Sequence, residues 1–188
     1  MKKNLFKLLL SIVVAVSHIG CGESGSSTQS LGHHPKNTKQ SDFDPSLLNW
    51  EVDNGSGLKI LVENNYIYLQ FDHTQETTFT KNIQFIIDID NNITTGNSAE
   101  NGADYIVENG YLYKSISRDQ WSWKEIGKIQ SNISGLVDTV RLDIPQLENK
   151  GTIFSVNAEV LNDKWEPVLY SPDGIDENGN HKKTVYRP

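Results

Sequence analysis

The stretch Phe85-Ile86-Ile87-Asp88-Ile89-Asp90-Asn91-Asn92-Ile93-Thr94-Thr95-Gly96, followed by Gly102-Ala103-Asp104-Tyr105, carries the reading of the fold. It opens as a β-branched apolar run that predicts a strand, then changes abruptly to Asp, Asn, Thr and Gly, which favour turns and supply oxygen ligands. Alternate residues of a strand share a face, so Phe85, Ile87 and Ile89 are expected on one side and Asp88 and Asp90, with Ile86, on the other. Adjacent carboxylates on one face repel unless positive charge lies between them. A hard cation such as Ca²⁺ supplies that charge and takes oxygens from carboxylates, amides and loop carbonyls.

The spacing is not that of an EF-hand. Counted from Asp88 or Asp90, the position that needs Gly holds Ile93 or Thr95, and the position of the closing Glu holds Ala99 or Asn101. Two readings fit: a cation site, or a hairpin loop whose Asp and Asn side chains bond only nearby backbone. For a cation, the expected side-chain ligands are Asp88, Asp90, Asn92 and Asp104, with Thr94 giving a carbonyl or hydroxyl. The chain returning after Gly96 would bring Gly102-Ala103-Asp104 beside the strand end.

Outward from this loop, short alternating runs at close spacing predict an all-β protein. Residues 49–52, 58–62 and 66–72 read as the first strands, with Asn64-Asn65 as a two-residue turn. In the third, Tyr66, Tyr68 and Gln70 face one way and Ile67, Leu69 and Phe71 the other. Beyond the loop, 105–108 and 111–116 are joined by Asn109-Gly110, a strong hairpin signal. Strands at 121–127, 137–144, 152–161 and 165–170 follow. Pro145 stops the strand before it, and 146–148 allow one helical turn. No internal repeat is present.

The four tryptophans are Trp50, Trp121, Trp123 and Trp165. Period-two spacing puts Trp121 and Trp123 on one strand face, where two exposed indoles would stack a sugar ring and two buried ones would fill a core.

Residues 1–21 read as an export leader, with Lys2, Lys3 and Lys7 before an apolar core and Gly20-Cys21 at its end. Cys21 is the only cysteine in the chain. Its place resembles the lipidated cysteine of bacterial lipoproteins, although His18 and Ile19 stand where such signals usually carry Leu and a small residue. Residues 22–41 are a polar tether, in which His33-His34 is too sparse for a metal site. Residues 42–188 remain for one domain, about 145 residues and enough to bury its own core. No other stretch is long and apolar enough to span a bilayer, so membrane attachment is expected through the lipid alone.

The formal net charge of −7 and the absence of a basic stripe disfavour nucleic acid as a partner. Asp88 and Asp90 sit beside each other rather than across a cleft, which suits a cation better than glycoside hydrolysis. A Ser-His-Asp triad lacks a nucleophile motif around His73 or His181. The sole methionine is Met1, which rules out Met/His haem ligation. The tail 171–180 offers further oxygens from Asp173, Asp176, Asn178 and Asn180, but fails the EF-hand positions at His181 and Arg187 and reads as a Gly- and Pro-punctuated surface loop.

The run Asp88-Ile-Asp90-Asn91-Asn92 with Thr95-Gly96, then Gly102-Ala103-Asp104-Tyr105, Leu112-Tyr113 and Trp121-Ser122-Trp123, resembles the carbohydrate-binding-module-family-9-like, or DOMON-like, β-sandwich superfamily over residues 43–170. The resemblance implies a two-sheet antiparallel sandwich of jelly-roll or immunoglobulin-like type. It also implies calcium in an Asp-rich loop or sugar on an aromatic surface. The expectation is therefore a non-catalytic envelope lipoprotein, stabilised by calcium and binding a polysaccharide or oligosaccharide, with a structural or protein-interaction lipoprotein as the alternative.

Overall fold

The computed structural model describes residues 43–74, 82–148 and 152–188. The expected leader, its Cys21, the tether and His33-His34 lie outside the described residues. Among these residues the strands are β1 (Val52–Asp53), β2 (Leu58–Glu63), β3 (Tyr66–Asp72), β4 (Asn82–Asp88), β5 (Tyr105–Glu108), β6 (Tyr111–Ser115), β7 (Trp123–Lys128), β8 (Gln130–Ser134), β9 (Val137–Asp143), β10 (Phe154–Leu161), β11 (Pro167–Ser171) and β12 (Thr184–Tyr186). The helical pieces are single 3₁₀ turns at Pro45–Leu47, Ser98–Glu100 and Ile144–Gln146.

The strands form two antiparallel sheets packed against each other, so the chain is an all-β sandwich. The first sheet runs β1-β2-β3-β9-β8 and the second β11-β10-β4-β5-β6-β7, with β12 also on β10. Turn chemistry sets the hairpins. Asn64 and Asn65 lie at φ 50° and 67°, and Asn109 and Gly110 at 51° and 83°, the backbone that a tight hairpin turn needs.

Alternation then fills the interior. Ile60, Ile67, Leu69 and Phe71 from the first sheet meet Phe85, Ile87, Val107 and Val156 from the second, all almost fully buried. Burying each such side chain contributes about 1.5–3 kcal/mol. The predicted faces of β3 and β4 hold: Phe85, Ile87 and Ile89 enter this core while Ile86 joins a second cluster with Ala103, Ile106, Tyr113 and Trp123. The central strands β4, β5 and β10 of the second sheet are thus buried on both faces, β10 along its whole length.

Several boundaries differ from the sequence reading. The strand expected over 49–52 is only Val52–Asp53, and that expected from 121 begins at Trp123. Strands β8 and β12 have no counterpart among the expected ones. In β8 the sequence Gln-Ser-Asn-Ile-Ser has a single large apolar residue, and β12 is three residues long inside a polar tail.

Candidate metal centre

β4 delivers Asp88 to its end with the side chain buried. The adjoining segment is clamped to the start of β5: the Asp104 N–H donates to the Ile87 carbonyl at 2.8 Å, and the Ile89 N–H donates to Asp104 Oδ2 at 3.0 Å. This clamp turns Asp104 toward the Asp88 face. One oxygen each of Asp88, Asp90 and Asp104 lies within 4.8 Å of the other two.

The intervening loop is held by its own polar groups. The Asn92 N–H donates to Asp88 Oδ1 and to Asp90 Oδ1, both at 3.0 Å. Thr95 Oγ1 donates within reach of Asp90 Oδ1, at 3.0 Å, and of the Asn92 carbonyl, at 2.7 Å. Asn97, fully buried, staples the loop by donating from Nδ2 to the carbonyls of Ser117 and Gln120 at 3.1 and 2.8 Å. Gly96 and Gly102 allow the two arms to touch. A Cβ on Gly96 would lie 2.3 Å from the Gly102 oxygen, and one on Gly102 would lie 2.5 Å from the Ile93 Cα. Both glycines also hold positive φ, 57° and 83°, which side chains disfavour.

Of the five expected ligands, the structure brings together Asp88, Asp90 and Asp104. Asn92 and Thr94 are exposed and turned to each other: Asn92 Oδ1 accepts from the Thr94 N–H at 3.0 Å and from Thr94 Oγ1 at 2.7 Å. They close the turn, as Asn and Thr commonly do. The loop therefore combines both readings, with local bonds at its tip and convergent carboxylates at its base.

Lys183 joins the cluster and Glu100 lies within electrostatic reach of Lys183, and neither carries a sequence signal that points there. Lys183 Nζ lies 3.0 Å from Asp88 Oδ2 and donates to the Asn101 carbonyl at 2.6 Å. It comes from the segment just before β12, ninety-five residues beyond Asp88, and no local pattern links the two. The single ammonium touches Asp88 and acts electrostatically on Asp104 and Glu100. Burial raises the Asp88 carboxyl against the pull of Lys183. Burial also pushes Asp104 up to about 6, opposed by the Ile89 N–H and reinforced by Asp90 and Asp88. Glu100 rises to about 7, again through burial and against Lys183. A divalent cation would relieve this surplus, and the donor set of carboxylates with a nearby carbonyl suits Ca²⁺ rather than a soft metal.

The expected indole pair is not a shared platform. Trp123 is 1% exposed and belongs to the second core cluster, while Trp121 precedes β7 and is 44% exposed. Their rings meet edge to face at 70° with centroids 5.4 Å apart. The strand begins only at Trp123, and burial of that indole leaves Trp121 alone at the surface.

The remaining candidates are structural in their contacts. His73 is buried with Nε2 3.0 Å from Asp138 Oδ2, and His181 stacks on Tyr170 at 3.8 Å. In the tail, Asp176 Oδ1 accepts from the N–H groups of Asn178 and Asn180 at 2.8 and 2.9 Å, so that polar cluster folds as a surface loop. Comparison of the chain with protein-family models, with curated proteins and with solved structures gives no match in any of the three.

Proposed function

We propose that the chain is an exported, lipid-tethered binding module without catalytic activity, braced by Ca²⁺ at Asp88, Asp90 and Asp104 and binding a polysaccharide or oligosaccharide. The observation that carries the reading is the convergence of these three carboxylates, with a single lysine on Asp88. The carboxylates crowd together at a loop base rather than facing each other across a cleft, which favours a bracing cation over hydrolysis. Sugar as the ligand class rests on the resemblance to carbohydrate-binding sandwiches and on the sequence signals for export.

The covered Trp123 favours a second reading, a structural or protein-interaction lipoprotein of the envelope with no sugar site. Two measurements on the full-length chain test these readings. Calorimetric titration and melting in Ca²⁺ against EDTA should show binding and a gain of about 2.7 kcal/mol at a free concentration 100 times the dissociation constant. A melting curve unmoved by either overturns the calcium assignment. A glycan array carrying cell-wall and surface polysaccharides should give retained ligands without cleavage. No retained glycan, with a stable protein partner recovered instead, hands the function to the second reading.

A further inference from the structure

The outer face of the first sheet carries a groove of about 850 Å³ bordered by the segment 43–50. That volume falls within the roughly 300–1,000 Å³ of small-ligand sites. Its floor is one cross-strand row, in which Gln70 on β3 pairs with Thr139 on β9 and Thr139 with Asn132 on the edge strand β8. Paired residues share a face, so these side chains stand side by side. Gln70 Nε2 donates to Thr139 Oγ1 at 3.0 Å, which fixes the amide and leaves its oxygen turned away from that bond. Asn132, and Ser134 two residues along β8, are half-buried to exposed and keep their polar atoms uncommitted among the described residues. Trp50 and Phe43 add aromatic surface at the border, with Phe43 fixed edge-on to Tyr68 at 5.5 Å.

The charge of this lining is as informative as its shape. It contains no Lys or Arg and a single carboxylate, Asp44. Asp44 Oδ1 is already engaged, accepting from the Ser46 N–H and Oγ at 2.9 and 2.8 Å. Phosphate, sulfate and nucleotide ligands would find no counter-charge here, and the chain as a whole is acidic at −7. Planar amides and a hydroxyl beside an indole suit a ligand with vicinal hydroxyls on one side and C–H groups on the other.

Resting on the sugar-binding reading above, we infer that this groove is the carbohydrate site: a neutral oligosaccharide lies across β3, β9 and β8, with a pyranose face on Trp50 and hydroxyls on Gln70, Asn132 and Ser134. Because β8 is an edge strand, the groove reaches the sheet margin and admits an internal section of a longer chain.

The test is calorimetric titration of the full-length chain in detergent micelles with Ca²⁺ present. The probes are hexasaccharides of glucose, xylose and mannose, with a hexamer of galacturonic acid as the charged arm. A neutral hexamer should bind, and Trp50→Ala and Asn132→Ala should each weaken it by roughly tenfold or more, whereas Trp121→Ala should leave it unchanged. Asn132 is on an exposed edge, so its variant should melt with the wild type and stands alone if Trp50→Ala fails to fold. Binding that survives Asn132→Ala and Trp50→Ala but is lost in Trp121→Ala overturns the groove while leaving sugar binding intact. Equal affinity for the galacturonic acid hexamer overturns the assignment of a neutral ligand. No binding to any probe overturns both the groove and the reading beneath it.

Discussion

Lys183 places its ammonium 3.0 Å from the carboxylate of Asp88, and the two side chains are 12% and 1% exposed. The contact ties the tail segment before β12 to the end of β4. It also puts a fixed monovalent charge beside the carboxylates proposed for calcium. Lys183→Met removes the charge and keeps the apolar stem. In EDTA the variant should lose about 3–5 kcal/mol, the usual cost of orphaning a buried ion-pair partner. If the cluster takes Ca²⁺, the cation should restore most of that loss, and the melting shift on adding it should exceed that of the wild type. A variant equally destabilised with and without Ca²⁺ would show that Lys183 is the only cation the cluster uses.

The carboxyls themselves give the cluster a pH signature. Asp104 titrates near 6 and Glu100 near 7, each above its ordinary value chiefly through burial. A carboxyl raised in this way holds more protons folded than unfolded, so stability falls as pH climbs from the unfolded value through the folded one. In EDTA, stability should therefore decline from about pH 4 to pH 7. Bound Ca²⁺ favours the ionised forms and reverses the sign of the local effect. The calcium-induced rise in melting temperature should be larger at pH 7.5 than at pH 5, read by differential scanning calorimetry. An equal rise at both values would place calcium elsewhere.

The two neighbouring tryptophans should separate sharply on mutation. Trp123 fills the second core cluster against Ile86, Ala103, Ile106 and Tyr113, and its loss to Ala should cost about 3–5 kcal/mol. Trp121 is nearly half exposed and leans on Trp123 by one edge, so Trp121→Ala should cost about 1 kcal/mol, near the middle of ordinary point mutations. Urea unfolding of the two variants measures this difference. Equal losses would contradict the unequal burial.

What is legible in the sequence has a local cause. The alternation in β3 and β4, the Asn64-Asn65 and Asn109-Gly110 turns, and the switch at Asp88 each act within a few residues, so the sandwich and the convergence of Asp88, Asp90 and Asp104 can be read from residue order alone. Lys183 and Glu100 cannot, because their partners are brought close only by the pairing of β12 with β10 and by the turn at Ser98–Glu100. The Gln70-Thr139-Asn132 row depends on the register of three strands, one of them with too few apolar residues to announce itself. Trp121 and Trp123 differ in burial, not in spacing, because Trp121 lies ahead of β7 at the rim while Trp123 enters the second core cluster.

Glu159 supplies a test that is independent of any ligand. It sits in β10 at 5% exposure, paired across the sheet with Gln84 on one side and Tyr170 on the other, and Gln84 in turn donates to Glu108. Burial pushes its carboxyl up to about 8, with Glu100 and Glu108 adding to the rise. Near neutral pH the side chain is thus mostly protonated and acts as an uncharged hydrogen-bonding group. Its folded value lies above the unfolded 4.5, so the wild type loses stability as pH rises between the two, by up to about 1.4 kcal/mol per pH unit for one proton. Glu159→Gln keeps the shape and one donor while removing the titration. The variant should match the wild type near pH 4.5 and gain on it steadily toward pH 8. Chemical unfolding at pH 5, 7 and 9 measures the gap. Parallel pH profiles for the two proteins would mean that Glu159 ionises in the folded sheet as readily as it does in water.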